Sequence, residues 1–164
     1  MLSLDVAGAF DNVSHARLAY NLRKRRVLET LIRWVEDFLR ERHTEIRLGS
    51  FTLASSRVNA GIPQGSPLSP ILYLFYNADL LEDCDNASLR ISLIGFVDDV
   101  NILTYGLTTQ GNCLTLERAH KACETWAKRH GSKFNPGKYE LIHLTRIPKK
   151  FNMEANITIN DKEI

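Results

Sequence analysis

Three acidic residues sit in strongly apolar sequence. Asp98 and Asp99 are adjacent in Phe96-Val97-Asp98-Asp99. The apolar runs 90–95 and 100–105 flank them and predict a tight hairpin with both carboxylates at its tip. Adjacent carboxylates at a half-buried turn repel unless a cation or hydrogen-bond donors compensate them. Alone, such a dipeptide is more often a solvated turn. Asp5 changes that weight: it lies in residues 2–6, a short apolar run that reads as a buried strand, where an unpartnered charge is penalised. If that strand lies beside the hairpin, Asp5 and Asp98 converge into a set of hard oxygen ligands suited to Mg²⁺. Two such ions about 3.5 to 4 Å apart align an attacking hydroxyl and stabilise a departing pyrophosphate.

The elements that must position these groups are legible from periodicity. Asp11 or Ser14 can cap a helix beginning near His15. Leu28, Leu31, Ile32, Val35, Phe38 and Leu39 follow offsets 0, 3, 4, 7, 10 and 11, which predicts a helical core face. Residues 44–48 and 52–59 read as a hairpin around Gly49-Ser50. Gly61-Ile62-Pro63-Gln64-Gly65-Ser66-Pro67-Leu68-Ser69-Pro70 predicts an unusual loop before a buried helix over 68–81. Leu116, Ala119, Cys123, Trp126, Ala127 and His130 mark one face of a further helix, stopped by Gly131. Residues 139–144 read as a strand and 157–164 as a hairpin turning at Asn160-Asp161.

Composition bounds the class. The chain has 164 residues, 44% hydrophobic and 24% charged, with three Cys, which argues against collagen-like, disordered and disulfide-stapled proteins and predicts one domain. With 21 Lys+Arg against 19 Asp+Glu the net charge is +2, too small to identify a polyanionic partner. The basic run Arg23-Lys24-Arg25-Arg26 reads equally as a nucleic-acid contact or a solvated helix end. Cys84, Cys113 and Cys123 form no C-x-x-C pair and read as reduced packing residues, with no zinc site. No apolar run is long enough for a membrane span and the first residues are no signal peptide, so the expected location is intracellular, cytoplasmic or nuclear.

Leu4-Asp5-Val6-Ala7-Gly8-Ala9-Phe10-Asp11, the loop from Gly61 to Pro70, and Phe96-Val97-Asp98-Asp99 resemble, in order and spacing, motifs A, B and C of reverse transcriptases. The nearest likeness is to polymerases of non-LTR (LINE-type) retrotransposons. Asn135-Pro136-Gly137-Lys138 resembles motif D. Val97 stands where motif C commonly has Ala or Met.

The resemblance implies an α+β fold: a ferredoxin-like polymerase palm, an antiparallel sheet with helices packed on one face. It implies that residues 1–164 are that palm, with fingers and thumb absent. Asp5, Asp98, Asp99 and the carbonyl of Val6 would hold two Mg²⁺ ions, with Mn²⁺ a possible substitute. Phe10 would be the aromatic gate that excludes a ribose 2′-hydroxyl, against the plain reading of a core aromatic. Gln64 and Gly65 would line the nascent base-pair pocket, against a turn that merely starts a helix. Lys138 would approach the nucleotide phosphates as a candidate general acid, against a solvated surface lysine. Asp11 is assigned to structure, as a helix cap. The implied activity is RNA-directed DNA polymerisation, with RNA template, DNA primer and dNTP as partners, the fingers and thumb of a full-length polyprotein beside it, and no membrane. The alternatives are a catalytically inactive retrotransposon relic, a repurposed nucleic-acid-binding module, and an RNA-dependent RNA polymerase palm.

Overall fold

The structure is a computed structural model that describes Met1–Ile164. In chain order its elements are β1 (Leu2–Ala7), α1 (His15–Lys24), α2 (Glu29–Leu39), β2 (His43–Thr44), β3 (Arg47–Leu48), β4 (Phe51–Thr52), β5 (Ser56–Arg57) and α3 (Leu68–Cys84). They continue with β6 (Ile91–Phe96), β7 (Asp99–Thr104), α4 (Thr109–His130), β8 (Lys133–Phe134), β9 (Glu140–Leu141), β10 (Thr158–Ile159) and β11 (Lys162–Glu163). The chain divides into two compact units, one of Met1–Ala9 with Asn77–Ile164 and one of Phe10–Tyr76.

The first unit is built on β1. Its side chains alternate: Leu2, Leu4 and Val6 are buried, while Ser3, Asp5 and Ala7 lie on the opposite, partly open face. β1 pairs antiparallel with β7 on one side and with β8 and β9 on the other, in a sheet of order β6-β7-β1-β8. Leu2, Leu4, Val6, Leu93, Val100 and Ile102 form one core with Leu80 and Cys84 of α3 and Leu116, Ala119, Cys123 and Trp126 of α4. Each large apolar side chain fully buried there contributes roughly 1.5–3 kcal/mol. This is the expected α+β arrangement, with an antiparallel sheet whose apolar face carries helices. α4 starts on Thr108, whose hydroxyl accepts from the Gly111 N–H at 3.1 Å, and ends on Gly131 at φ +66. β10 and β11 turn through Asn160 and Asp161, both at positive φ, as a two-residue hairpin loop requires.

The second unit contains α1, α2, the ribbon β2–β5 and the first turns of α3. Ser14, not Asp11, caps α1, its hydroxyl accepting from the Arg17 N–H at 3.4 Å. Asp11 is drawn elsewhere: its Oδ1 accepts from Gln64 Nε2 at 2.9 Å. On α2 only Ile32, Val35 and Leu39 of the expected apolar face are buried. Leu28 and Leu31 are 69% and 52% exposed, and Phe38 stacks on Trp34 with centroids 5.9 Å apart. The helix contacts its own unit through a stripe narrower than its apolar face.

Residues 44–59 form two separate pairings, β2 with β5 and β3 with β4, where one continuous hairpin was expected. Two residues, Glu45 and Ile46, face three, Leu53, Ala54 and Ser55, between those pairings. The extra residue shifts the register in the manner of a β-bulge. With both faces of these strands exposed, no buried side holds a single register. α3 runs to Cys84, past the expected Leu81. Of residues 139–144 only Glu140–Leu141 forms a strand. All three Cys are free and buried, as expected of packing residues.

Candidate active site

β1 carries Asp5 to the open face of the sheet, and its register fixes what Asp5 meets. Asp5 is directly opposite Asp99 of β7, and side chains of such partners point to the same face. Phe96 pairs with Asp99, which leaves Val97 and Asp98 as a two-residue loop. Asp98 is therefore at the tip, and Asp99 is the first strand residue. The loop holds Val97 at φ +56, a left-handed conformation that costs a β-branched residue about 1–2 kcal/mol. Its far end is anchored by the Val6 N–H, which donates to the Asp98 carbonyl at 3.2 Å. The acidic hairpin tip and Asp5 thus lie at the same end of β1.

Lys138 completes this cluster from 133 residues away. Its Nζ is 3.0 Å from Asp5 Oδ1. The hydrogen bond to Asp5 raises the Lys138 pKa above its ordinary value, with the charge of Asp5 and those of Asp98 and Asp99 adding to it. The turn that presents Lys138 is tied to β1 by backbone: the Asn135 N–H donates to the Asp5 carbonyl at 2.9 Å. The Asn135 side chain accepts from the Gly137 N–H at 3.1 Å, and the Lys138 N–H donates to the Asn135 carbonyl at 3.0 Å. Sequence reasoning missed Asn135 as the positioning residue. Asn before Pro-Gly signals a turn, but its partner on β1 is a tertiary contact.

Phe10, Gln64 and Gly65 belong to the second unit. Phe10 is half-buried, with its ring packed edge-on against Tyr73 at 5.5 Å. Gln64 is exposed and held by Asp11. It borders a cleft of about 280 Å³ lined also by Arg42, His43 and Pro63. Gly65 sits at φ +84 with open space where a Cβ would be. The loop is braced internally, since the Ser69 hydroxyl donates to the Pro63 carbonyl and the Ser69 N–H to the Ser66 carbonyl.

Comparison with known proteins decides which family this is. The family profile described as "Reverse transcriptase (RNA-dependent DNA polymerase)" matches residues 1–159. The chain belongs to the reverse transcriptase family. It is 29% identical over 140 residues to the RNA-directed DNA polymerase from mobile element jockey of Drosophila melanogaster, covering 82% of this chain and 15% of that protein. Identity is 30% over 146 residues to the probable RNA-directed DNA polymerase from transposon X-element of the same organism, covering 88% and 16%. The Pol polyprotein from the type-1 retrotransposable element R2 of Popillia japonica is 27% identical over 111 residues, 63% of this chain and 18% of the polyprotein. This reverse transcriptase chain spans roughly one sixth of the length of these non-LTR retrotransposon relatives.

Reverse transcriptases use divalent ions, and the carboxylate oxygens of Asp5, Asp98 and Asp99 are the hard donors such ions take. No three His, Cys, Asp or Glu side chains converge on one point, however. The Lys138 ammonium occupies Asp5 Oδ1 in their place. The donor set fits the ion in kind, with the Lys138 ammonium in contact with one of its oxygens. No helix is long and apolar enough to cross a membrane.

Proposed function

We propose that this chain is the palm of an RNA-directed DNA polymerase, adding dNTP to a DNA primer on an RNA template, with fingers and thumb supplied by flanking segments. The observation that carries the reading is the register of Asp5 with Asp99, with the Asp98 turn anchored at the same end of β1. Asp5, Asp98 and Asp99, with the Val6 carbonyl, would hold two Mg²⁺ ions, for which Mn²⁺ can substitute. Such ions, when bound, lower the barrier to attack of the primer 3′-hydroxyl on the α-phosphate and stabilise the departing pyrophosphate.

The chain's own residues do the rest. Phe10, braced by Tyr73, fills the space that a ribose 2′-hydroxyl needs and so selects dNTP by exclusion. Gln64 and Gly65 line the nascent base-pair pocket, Gly65 because its missing side chain lets backbone approach the base pair. Lys138 carries a proton at Nζ that it can give to the leaving pyrophosphate.

Primer extension on an RNA template tests the reading, with the chain joined to the flanking segments of its reading frame. Extension should require Mg²⁺ or Mn²⁺, prefer dNTP over rNTP, and fall on the order of 10²–10³-fold in Asp98→Asn, the range for losing one preorganised electrostatic contact. Extension that persists undiminished in Asp98→Asn refutes it. A wild-type protein that binds primed template but never extends it instead identifies a nucleic-acid-binding relic.

A further inference from the structure

The Lys138–Asp5 pair has a second consequence for how this site is loaded. Asp5 is the more enclosed partner, its side chain 20% exposed against 63% for Lys138. One hydrogen bond ties the Asn135 turn to β1 and two more within the turn fix the Lys138 backbone, while the ammonium sits on a flexible four-carbon stem. The backbone is therefore set and the charged end is free to swing. A divalent ion that bridges or chelates the Asp5 carboxylate needs the Oδ1 that Lys138 now holds, and one bound through the other oxygen would lie beside the Lys138 ammonium and be repelled by it. Without that ammonium the acidic face, with Asp98 and Asp99 at the same end of β1, would carry uncompensated like charges.

We propose that Lys138 is the built-in counter-ion of the acidic cluster. It holds Asp5 Oδ1 while no divalent ion is bound and must leave Asp5 for one to bind, so loading the site and releasing the Lys138 ammonium are one exchange. The proposal rests on the reading of Asp5, Asp98 and Asp99 as a divalent-ion site.

The test measures Mn²⁺ binding to the 164-residue chain by electron paramagnetic resonance of the free ion at 0.15 M salt, where separated charges are largely screened and a contact pair is not. Lys138→Met should tighten Mn²⁺ binding roughly two- to five-fold, the worth of a partly exposed contact pair. Lys138→Arg, which keeps a cation on Asp5, should not tighten it. Lys133→Met is the charge control: Lys133 is the register partner of Ala7, on the same face as Asp5 but one strand repeat away, and its loss should leave affinity nearly unchanged. In parallel, the ¹³Cε resonance of Lys138 should move to that of a free lysine as Mg²⁺ saturates the chain.

Equal affinities of wild type and Lys138→Met, or a Lys138 resonance that stays fixed while Mg²⁺ binds, overturn the counter-ion role and leave the ion site standing. An equal gain in Lys133→Met reduces the effect to net charge and overturns it likewise. Absence of divalent binding in wild type and every variant overturns the ion site itself, and the counter-ion role with it.

Discussion

Gly61→Ala probes the junction that braces both Phe10 and the Gln64 loop. Gly61 lies at φ +87, and a Cβ there would stand 2.8 Å from the Asp11 carbonyl oxygen and 3.0 Å from that of Phe10. Carbon and carbonyl oxygen do not settle closer than about 3.3 Å, so backbone must part by roughly half an ångström. Two hydrogen bonds cross this gap, Gly61 N–H to the Val13 carbonyl and Ile62 N–H to that of Phe10, both 2.8 Å. The left-handed conformation costs an alanine about 1–2 kcal/mol, and weakening two bonds worth about 1 kcal/mol each adds to it. Reduced freedom of the unfolded chain returns about 0.5–1 kcal/mol. The net expectation is a loss of about 2–3 kcal/mol. Gly65→Ala is the matched control: φ is +84 but nothing lies within 4 Å of the added carbon, so only the conformational cost remains, about 0.5–1 kcal/mol net. Urea unfolding of a Trp126→Phe background reports the second unit through Trp34, the remaining one of two tryptophans. Equal losses in Gly61→Ala and Gly65→Ala would refute the close approach.

Two further outcomes follow from buried or strained groups. His120 is buried, its Nε2 is 3.0 Å from the Tyr139 hydroxyl, and burial lowers its pKa from the ordinary 6.5. The unfolded chain then binds the proton first, so stability falls as pH drops below about 6.5 and continues falling until the folded pKa is reached. Thermal midpoints at pH 7.5, 6.5 and 5.5 should show this slope, and an equal slope in His120→Gln would exclude His120 as its source. Val97→Gly should raise stability by up to about 1 kcal/mol, because relief of the left-handed strain exceeds the entropy cost of glycine. A lower melting temperature in that variant would show that the turn stores no strain at Val97.

What the amino-acid order alone determined is local. Periodicity of 3.6 placed α2 and α4, Gly131 ended α4, Asn160-Asp161 made a two-residue turn, and the apolar runs around Asp98-Asp99 made β6 and β7. These features depend on neighbours a few residues apart, whose backbone preferences act in any context. The motif order also sufficed to name the family. Tertiary structure alone decided the register of Asp5 with Asp99, the reach of Lys138 to Asp5, and the Asn135 contact that presents it. It decided that Ser14 caps α1 while Asp11 turns to Gln64, and that Leu28 and Leu31 stay exposed. Each of these depends on which apolar faces find each other across many residues, and burial, unlike helix or strand propensity, leaves no periodic mark of its partner in the sequence.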